Sequence, residues 1–258
     1  MALFDTGRFR QLAKTIKKFM GYSKSEVELM DDNGVFVRKS GDISRNLERY
    51  DVLSHLGVKI PTIYRVLATH YDMEYIPNLD MKTYLATKQT NELIKFIRDT
   101  IDKLSENTIE MSFVEVYRNK LSEEDFTKYG LPFTTEELIS KLPEYLPYSE
   151  YHGDFTLENI LYNTQKKEFV LIDPLTTVYS SFVFDLAKLR QDLQCKWFIR
   201  NGSVYLDSKL QSIIDGLKDY TYFNNDYLLI LMLMRVLPYT RNEDDEKFLI
   251  GEIKKLWK

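Results

Sequence analysis

The chain changes character at Pro77, and this constrains its fold more than any other feature. Short β-prone runs come before it and stretches of helical spacing after it. In the first part, residues 27–30 and 35–39 flank Asp31-Asp32-Asn33-Gly34, whose Asn-Gly pair suits a tight hairpin turn. Residues 43–56 carry a helical pattern stopped by Gly57, and residues 60–67 and 71–76 read as two further strands. Ahead of these, Phe9, Leu12, Ala13, Ile16 and Phe19 recur at helical spacing opposite Arg8, Arg10, Lys14, Lys17 and Lys18. That predicts an amphipathic basic helix over residues 8–20, packed on the sheet, with peripheral membrane contact as the less favoured alternative.

After Pro77, helices are predicted over residues 80–87, 91–104 and 135–142, with Pro143 and Pro147 closing the series. Residues 160–162 and 169–173 then read as a second hairpin around a polar turn, and helices resume near Phe184. The apolar run 227–236 carries Arg235 and is far shorter than the ~20 residues of a membrane span, so it reads as a buried helix. The fold class expected is α+β: a small N-terminal antiparallel-sheet lobe with one helix, residues 1–76, and a larger, mainly helical lobe, residues 77–258.

Composition excludes other classes. With 44% hydrophobic residues the chain is neither disordered nor fibrous, and its single cysteine, Cys195, rules out an internal disulfide or a multi-cysteine zinc site. A net charge of −4 offers no basic excess for a phosphate backbone, so nucleic acid is not an expected partner. No secretion pattern opens the chain, and a cytoplasmic location is expected.

One segment stands apart: Tyr151-His152-Gly153-Asp154-Phe155-Thr156-Leu157-Glu158-Asn159, followed by Phe169-Val170-Leu171-Ile172-Asp173. Two carboxylates and an amide fall in loops at the ends of a hairpin, where side chains can converge without joining the core. Such a set suits cation work. Moving a phosphoryl group needs oxygen ligands for divalent cations and a carboxylate to orient the accepting hydroxyl and take its proton.

His-Gly-Asp, four residues, Asn, and then an apolar strand ending in Ile-Asp resembles the aminoglycoside phosphotransferase and choline kinase family, the small-molecule branch of the protein-kinase-like fold. The resemblance implies Asp154 as catalytic base, Asn159 and Asp173 as magnesium ligands, and ATP as phosphoryl donor. It extends upstream. Gly21-Tyr22-Ser23-Lys24-Ser25 looks like the family's phosphate-covering turn, and Lys39 takes the place of its phosphate-binding lysine, with Glu48 as the candidate partner on the following helix. Arg38 is the alternative to Lys39 if the strand register slips by one. Met73-Glu74-Tyr75-Ile76 resembles the hinge, which would offer the Glu74 carbonyl and the Ile76 amide to adenine. Phe184-Asp185-Leu186-Ala187 looks like the helix whose aspartate braces the catalytic loop, the alternative being that Asp185 caps that helix. Pro174, where protein kinases have Phe-Gly, implies a fixed loop after Asp173.

The acceptor so implied is a small molecule, with a sugar or glycan intermediate favoured over an aminoglycoside or choline-type acceptor. A catalytically silent pseudokinase is a further alternative. A protein kinase is disfavoured, because Gly153 stands where His-Arg-Asp has arginine and no Ala-Pro-Glu follows. His152 reads as a structural hydrogen-bonding residue, and His55 and His70 have no identifiable partner. Tyr179, Trp197 and Phe198 could stack on a sugar but read as core. Glu243-Asp244-Asp245-Glu246 could hold a cationic acceptor but reads as the start of a solvated helix.

Overall fold

The computed structural model describes residues 14–19, 25–202 and 205–258. Contacts divide the chain into a smaller unit, up to Ser44 together with Pro61–Ile76, and a larger one, Arg45–Ile60 together with Pro77–Lys258.

The smaller unit is one antiparallel sheet. Its strands are β1 (Lys14–Phe19), β2 (Glu26–Asp31), β3 (Val35–Ser40), β4 (Ile63–Val66) and β5 (His70–Glu74), in the order β1-β2-β3-β5-β4. Asn33, at φ +57°, and Gly34 make the β2–β3 turn, as the Asn-Gly pair predicts. The expectation of a helix over residues 8–20 is corrected, since its described part, Lys14–Phe19, is an exposed edge strand. The basic residues that suggested a solvated helix face instead meet acids across the ladder: Lys18 pairs with Glu28 at 3.2 Å and with Glu26 at 3.9 Å. Cross-strand charge pairing thus outweighs a weak local helical periodicity. The strand predicted over residues 60–67 contracts to Ile63–Val66, because Pro61 has no amide hydrogen for the ladder.

The larger unit opens with α1 (Ser44–His55), which ends where Gly57 turns into the left-handed region. Its buried face carries Asn46, Arg49, Tyr50 and Leu53, at i, i+3, i+4 and i+7. Then follow β6 (Asn78–Leu79), α2 (Met81–Thr87) and α3 (Asn91–Leu104). A two-stranded pair, β7 (Ile109–Ser112) with β8 (Tyr145–Tyr148), brackets α4 (Val114–Leu121) and α5 (Thr135–Lys141). The sequence patterns did not indicate β7, β8 or α4. Pro147 sits inside β8, which pairs on one side only and therefore tolerates it.

The predicted second hairpin is β9 (Ile160–Asn163) with β10 (Glu168–Leu171), and β6 extends it to three strands. Asp173 lies just past the hairpin's end. Four helices complete the unit: α6 (Phe182–Leu193), α7 (Asp207–Leu217), α8 (Asp226–Val236) and α9 (Glu243–Leu256). Two apolar clusters fill it, one around α4, α5, α8 and α9, the other around α2, α3, α7 and the hairpin, and α6 contributes to both. Every residue of α6 from Val183 to Leu193 is buried. No helix among the described residues is long and apolar enough to cross a membrane.

Candidate functional site

α6 is apolar enough to be enclosed, yet it carries Asp185, Lys188 and Asp192 at i, i+3 and i+7, on one helical face. All three reach the loop from His152 to Leu157. Asp185 accepts the His152 amide at 2.6 Å and the Gly153 amide at 2.9 Å. Lys188 Nζ lies 3.2 Å from Asp154 Oδ1, and Asp192 Oδ2 accepts the Leu157 amide at 2.7 Å. A loop whose amides have no strand partner is thereby satisfied by one helix. The bracing role for Asp185 holds over the capping role, because Ser181 supplies the cap of α6 through the Val183 amide.

Asp154 points outward from this scaffold, its side chain 37% exposed while that of Lys188 is 10% exposed. Burial raises the Asp154 carboxyl pKa, but the positive charge of Lys188, with a further contribution from Arg235, outweighs it and holds the group below its ordinary value. Asn159 donates its amide to both the backbone oxygen of Asp154, at 2.8 Å, and its carboxylate, at 3.1 Å. This turns the Asn159 side-chain oxygen away from Asp154. The Ile172 amide donates to the Asn159 carbonyl at 2.9 Å, so the loop and the strand that delivers Asp173 are stitched one residue from the carboxylate.

Asp173 adopts φ +59°, a left-handed conformation that costs a non-glycine residue energy unless its surroundings fix it. α1 supplies the fixing: Tyr50 Oη accepts the Asp173 amide at 3.1 Å, and Asn46 donates to Asp173 Oδ1 at 3.2 Å and to the Pro174 carbonyl. From the same face, Arg49 donates to the Tyr151 carbonyl and to Glu150, and its guanidinium stacks on the Tyr151 ring at 4.0 Å. Asn46, Arg49 and Tyr50 were missed as site residues. Their signal is the row of polar side chains at core-facing positions of a predicted helix.

Three of the sequence-predicted residues, Asp154, Asn159 and Asp173, are thus brought together. Glu48 lies on the shoulder of α1, where its carboxylate accepts from Thr176 Oγ1 at 2.9 Å, three residues beyond Asp173. Lys39, Glu74 and Ile76 belong to the smaller unit. There Lys39 is buried on the sheet face of Val37, while Arg38 lies on the opposite face, bonded to Asp72 at 2.7 Å alongside Arg65. The register therefore leaves Lys39, not Arg38, as the phosphate-clamp candidate. Glu74 ends β5, its amide donating to the Thr62 carbonyl, and Ile76 is buried. Ser23 lies outside the described residues.

His152 is fully buried. Its Nε2 meets the Ile172 carbonyl at 3.0 Å and its Nδ1 accepts from the Asp154 amide, which fixes a neutral ring with the proton on Nε2. Burial pushes its pKa down to about 4, so it is a structural post rather than an acid. Tyr179, Trp197 and Phe198 are core residues. The acidic run starts α9 behind the Asn242 cap, and Asp245 is spent on a buried pair with Arg200 at 2.6 Å.

Burial also raises Asp185 to about 6 and Asp192 to about 8, and Asp192 Oδ1 has no hydrogen-bond partner among the described residues. An unfolded aspartate releases its proton near 4. Between about 4 and 8 the folded state therefore holds more protons than the unfolded one, and stability falls as pH rises through that window. The expected result is a urea midpoint that declines from pH 5 to pH 9 in the parent protein. It should decline less in Asp192→Asn, which stays neutral and can still accept the Leu157 amide. Equal slopes in the two proteins would contradict the assignment.

No protein-family model matches the chain, and no curated protein matches it in sequence. Solved structures do match. An ethanolamine kinase from Plasmodium vivax aligns at a TM-score of 0.56 and 13% identity, over 93% of this chain and 81% of that one. A glucosamine kinase in complex with glucosamine, ADP and inorganic phosphate aligns at 0.56 and 13%, over 94% and 79%. A choline/ethanolamine kinase family protein from Mesorhizobium loti aligns at 0.51 and 16%, over 95% and 86%. The chain has the protein-kinase-like fold of the small-molecule kinases, with an antiparallel-sheet N-terminal part and a helical C-terminal part, as the motifs imply.

Proposed function

We propose that the protein transfers the γ-phosphoryl group of ATP to a hydroxyl of a small molecule, a sugar or glycan intermediate by preference. The observation that carries this reading is the linkage of Asp154, Asn159 and Asp173 through the Asn159 side chain and carbonyl, on a loop held at three points by α6. Asp154 is the general base. Ionised, held by Lys188 and partly exposed, it can accept the proton of an incoming hydroxyl. The oxygen donors fit magnesium: one carboxylate, Asp173, and the Asn159 amide oxygen leave the remaining positions of a hard cation to phosphate and water. Bound there, magnesium would neutralise the charge of the triphosphate. Lys39 is the phosphate clamp, and Ser23, Glu74 and Ile76 are the further nucleotide contacts. Glu48 steadies the segment after Asp173.

The fold of the chain is shared by kinases of small hydroxyl compounds, and one such structure holds ADP. The test is ATP consumption across sugars, choline, amino alcohols and aminoglycosides. One acceptor class should raise ADP release above the water background. Asp154→Asn should lower that rate by on the order of 10² to 10⁴, the span of general-base contributions. Acceptor-dependent turnover that survives Asp154→Asn would remove the base from the proposal.

A further inference from the structure

Lys188 and Asp192 stand about one turn apart on the face of α6 that meets the loop from His152 to Leu157. Side chains at i and i+4 of a helix are neighbours, and a lysine and an aspartate at that spacing can pair. Here they do not. Lys188 reaches past its helical neighbour to Asp154 Oδ1, at 3.2 Å, and among the described residues it forms no ion pair with Asp192. Asp192 is 1% exposed. Its Oδ2 accepts the Leu157 amide at 2.7 Å, and its Oδ1 has no hydrogen-bond partner among the described residues.

A carboxylate enclosed with one oxygen unpaired and no cation on it is costly to keep charged, and the neutral acid form avoids that cost. Burial pushes the Asp192 carboxyl up, and the charges of Glu158 and Asp154 on the loop add to this. The Leu157 amide and Lys188 of its own helix oppose it, but Lys188 is committed to Asp154. The proton of the acid belongs on Oδ1, since Oδ2 is taken by an N–H donor.

The consequence concerns the base. With Asp192 neutral, Lys188 has one anion to hold, and it fixes the Asp154 carboxylate in place. Loss of the Oδ1 proton to solvent would put two anions within reach of one flexible four-carbon stem. The Asp154 side chain is 37% exposed and has water to solvate it, whereas Asp192 is enclosed and has none. The ammonium therefore goes to Asp192.

We infer that Asp192 is a positioning residue that works in its acid form: while it keeps its proton Lys188 stays on Asp154, and when it ionises Lys188 is drawn back along α6 and the base is released. The inference rests on the kinase reading for the role of Asp154, but the sharing of one lysine by two carboxyls is a property of α6 and the loop.

The first measurement needs no turnover. In the full chain labelled with carboxyl carbon-13 aspartate, the signal lost in Asp192→Asn should titrate with a midpoint near 8. The signal lost in Asp154→Asn should show an inflection at the same midpoint, and that inflection should vanish in Asp192→Asn and in Lys188→Gln. A parent spectrum with no aspartate still protonated at pH 7 would overturn the inference without recourse to any variant. So would an Asp154 signal blind to the ionisation of Asp192, or an inflection that survives Lys188→Gln. The second measurement is the pH profile. Acceptor-dependent kcat of the parent should fall about tenfold from pH 7 to pH 9, as the protonated fraction of Asp192 falls. Asp192→Asn, scaled to its own maximum, should hold level over that range. Asparagine can keep the bond to the Leu157 amide, so a role confined to tying down the loop predicts parallel profiles, and parallel profiles would refute the positioning role. Absence of turnover with every acceptor would count against the kinase reading alone, and the carboxyl spectra would still decide the coupling.

Discussion

Asp173→Asn should remove acceptor-dependent ATP turnover by a factor on the order of 10³ or more, and should remove the magnesium dependence of nucleotide binding while the protein stays folded. The size follows from the several kcal/mol that a cation contributes to charge stabilisation in phosphoryl transfer, at 1.4 kcal/mol per factor of ten. Asparagine is chosen because of the backbone. Residue 173 sits at φ +59°, where asparagine is among the best-tolerated side chains, and an amide oxygen can still accept the bond from Asn46. The substitution therefore deletes a charge and little else. Asp173→Ala removes the charge and also destabilises the left-handed turn, so the two variants together separate metal binding from local folding. Turnover that survives both substitutions would end the case for Asp173 as the charged ligand. Nucleotide binding measured against magnesium concentration, with circular dichroism as the control for folding, supplies the readout.

The central motif is visible in the sequence because it is local. His152, Gly153, Asp154, Asn159 and Asp173 fall within 22 residues of chain, and a short hairpin joining the two halves leaves few ways to separate them. What supports the motif is remote. Asn46 and Tyr50 reach Asp173 across more than 120 residues, and Lys188 and Asp192 return to the loop some 35 residues later, so no local pattern announces the pairing. The trace they leave is chemical: buried polar groups need partners. Polar residues at the core-facing positions of α1, and at i, i+3 and i+7 of α6, are such groups. β1 fails in the opposite direction. Its helical spacing is genuine, but the acids of β2 lie where a paired strand can use the same lysines, and pairing is a non-local fact. β7 and β8 are four residues each and separated by two helices, so neither carries a periodicity long enough to read.

Gly153 shows how backbone geometry and site chemistry meet in one residue, and Gly153→Ala is expected to destabilise the larger unit by about 4 kcal/mol. Two causes add. The backbone there is at φ +88°, outside the regions open to L side chains, which costs about 1–3 kcal/mol. A Cβ built on Gly153 would also lie 1.9 Å from the Leu175 carbonyl oxygen and 3.0 Å from its carbon. These are backbone atoms that cannot swing aside, and overpacking of that kind adds a further 1–3 kcal/mol. Relief requires either the loop or the segment after Pro174 to shift. Both are bound to the site: the Leu175 amide donates to the His152 carbonyl at 2.9 Å, and Asp185 holds the His152 and Gly153 amides. A shift of either would move Asp154 relative to Asp173, so activity should fall even in the fraction that remains folded. At roughly 2–4 °C per kcal/mol for a chain of this size, the melting temperature should drop by about 10 °C. The absence of arginine from the His-Gly-Asp sequence follows from the same contact, since no side chain fits between residue 153 and Leu175. A Gly153→Ala protein that melts with the parent and turns over at the parent's rate would show that the loop has another resting place and that the tight approach is not required.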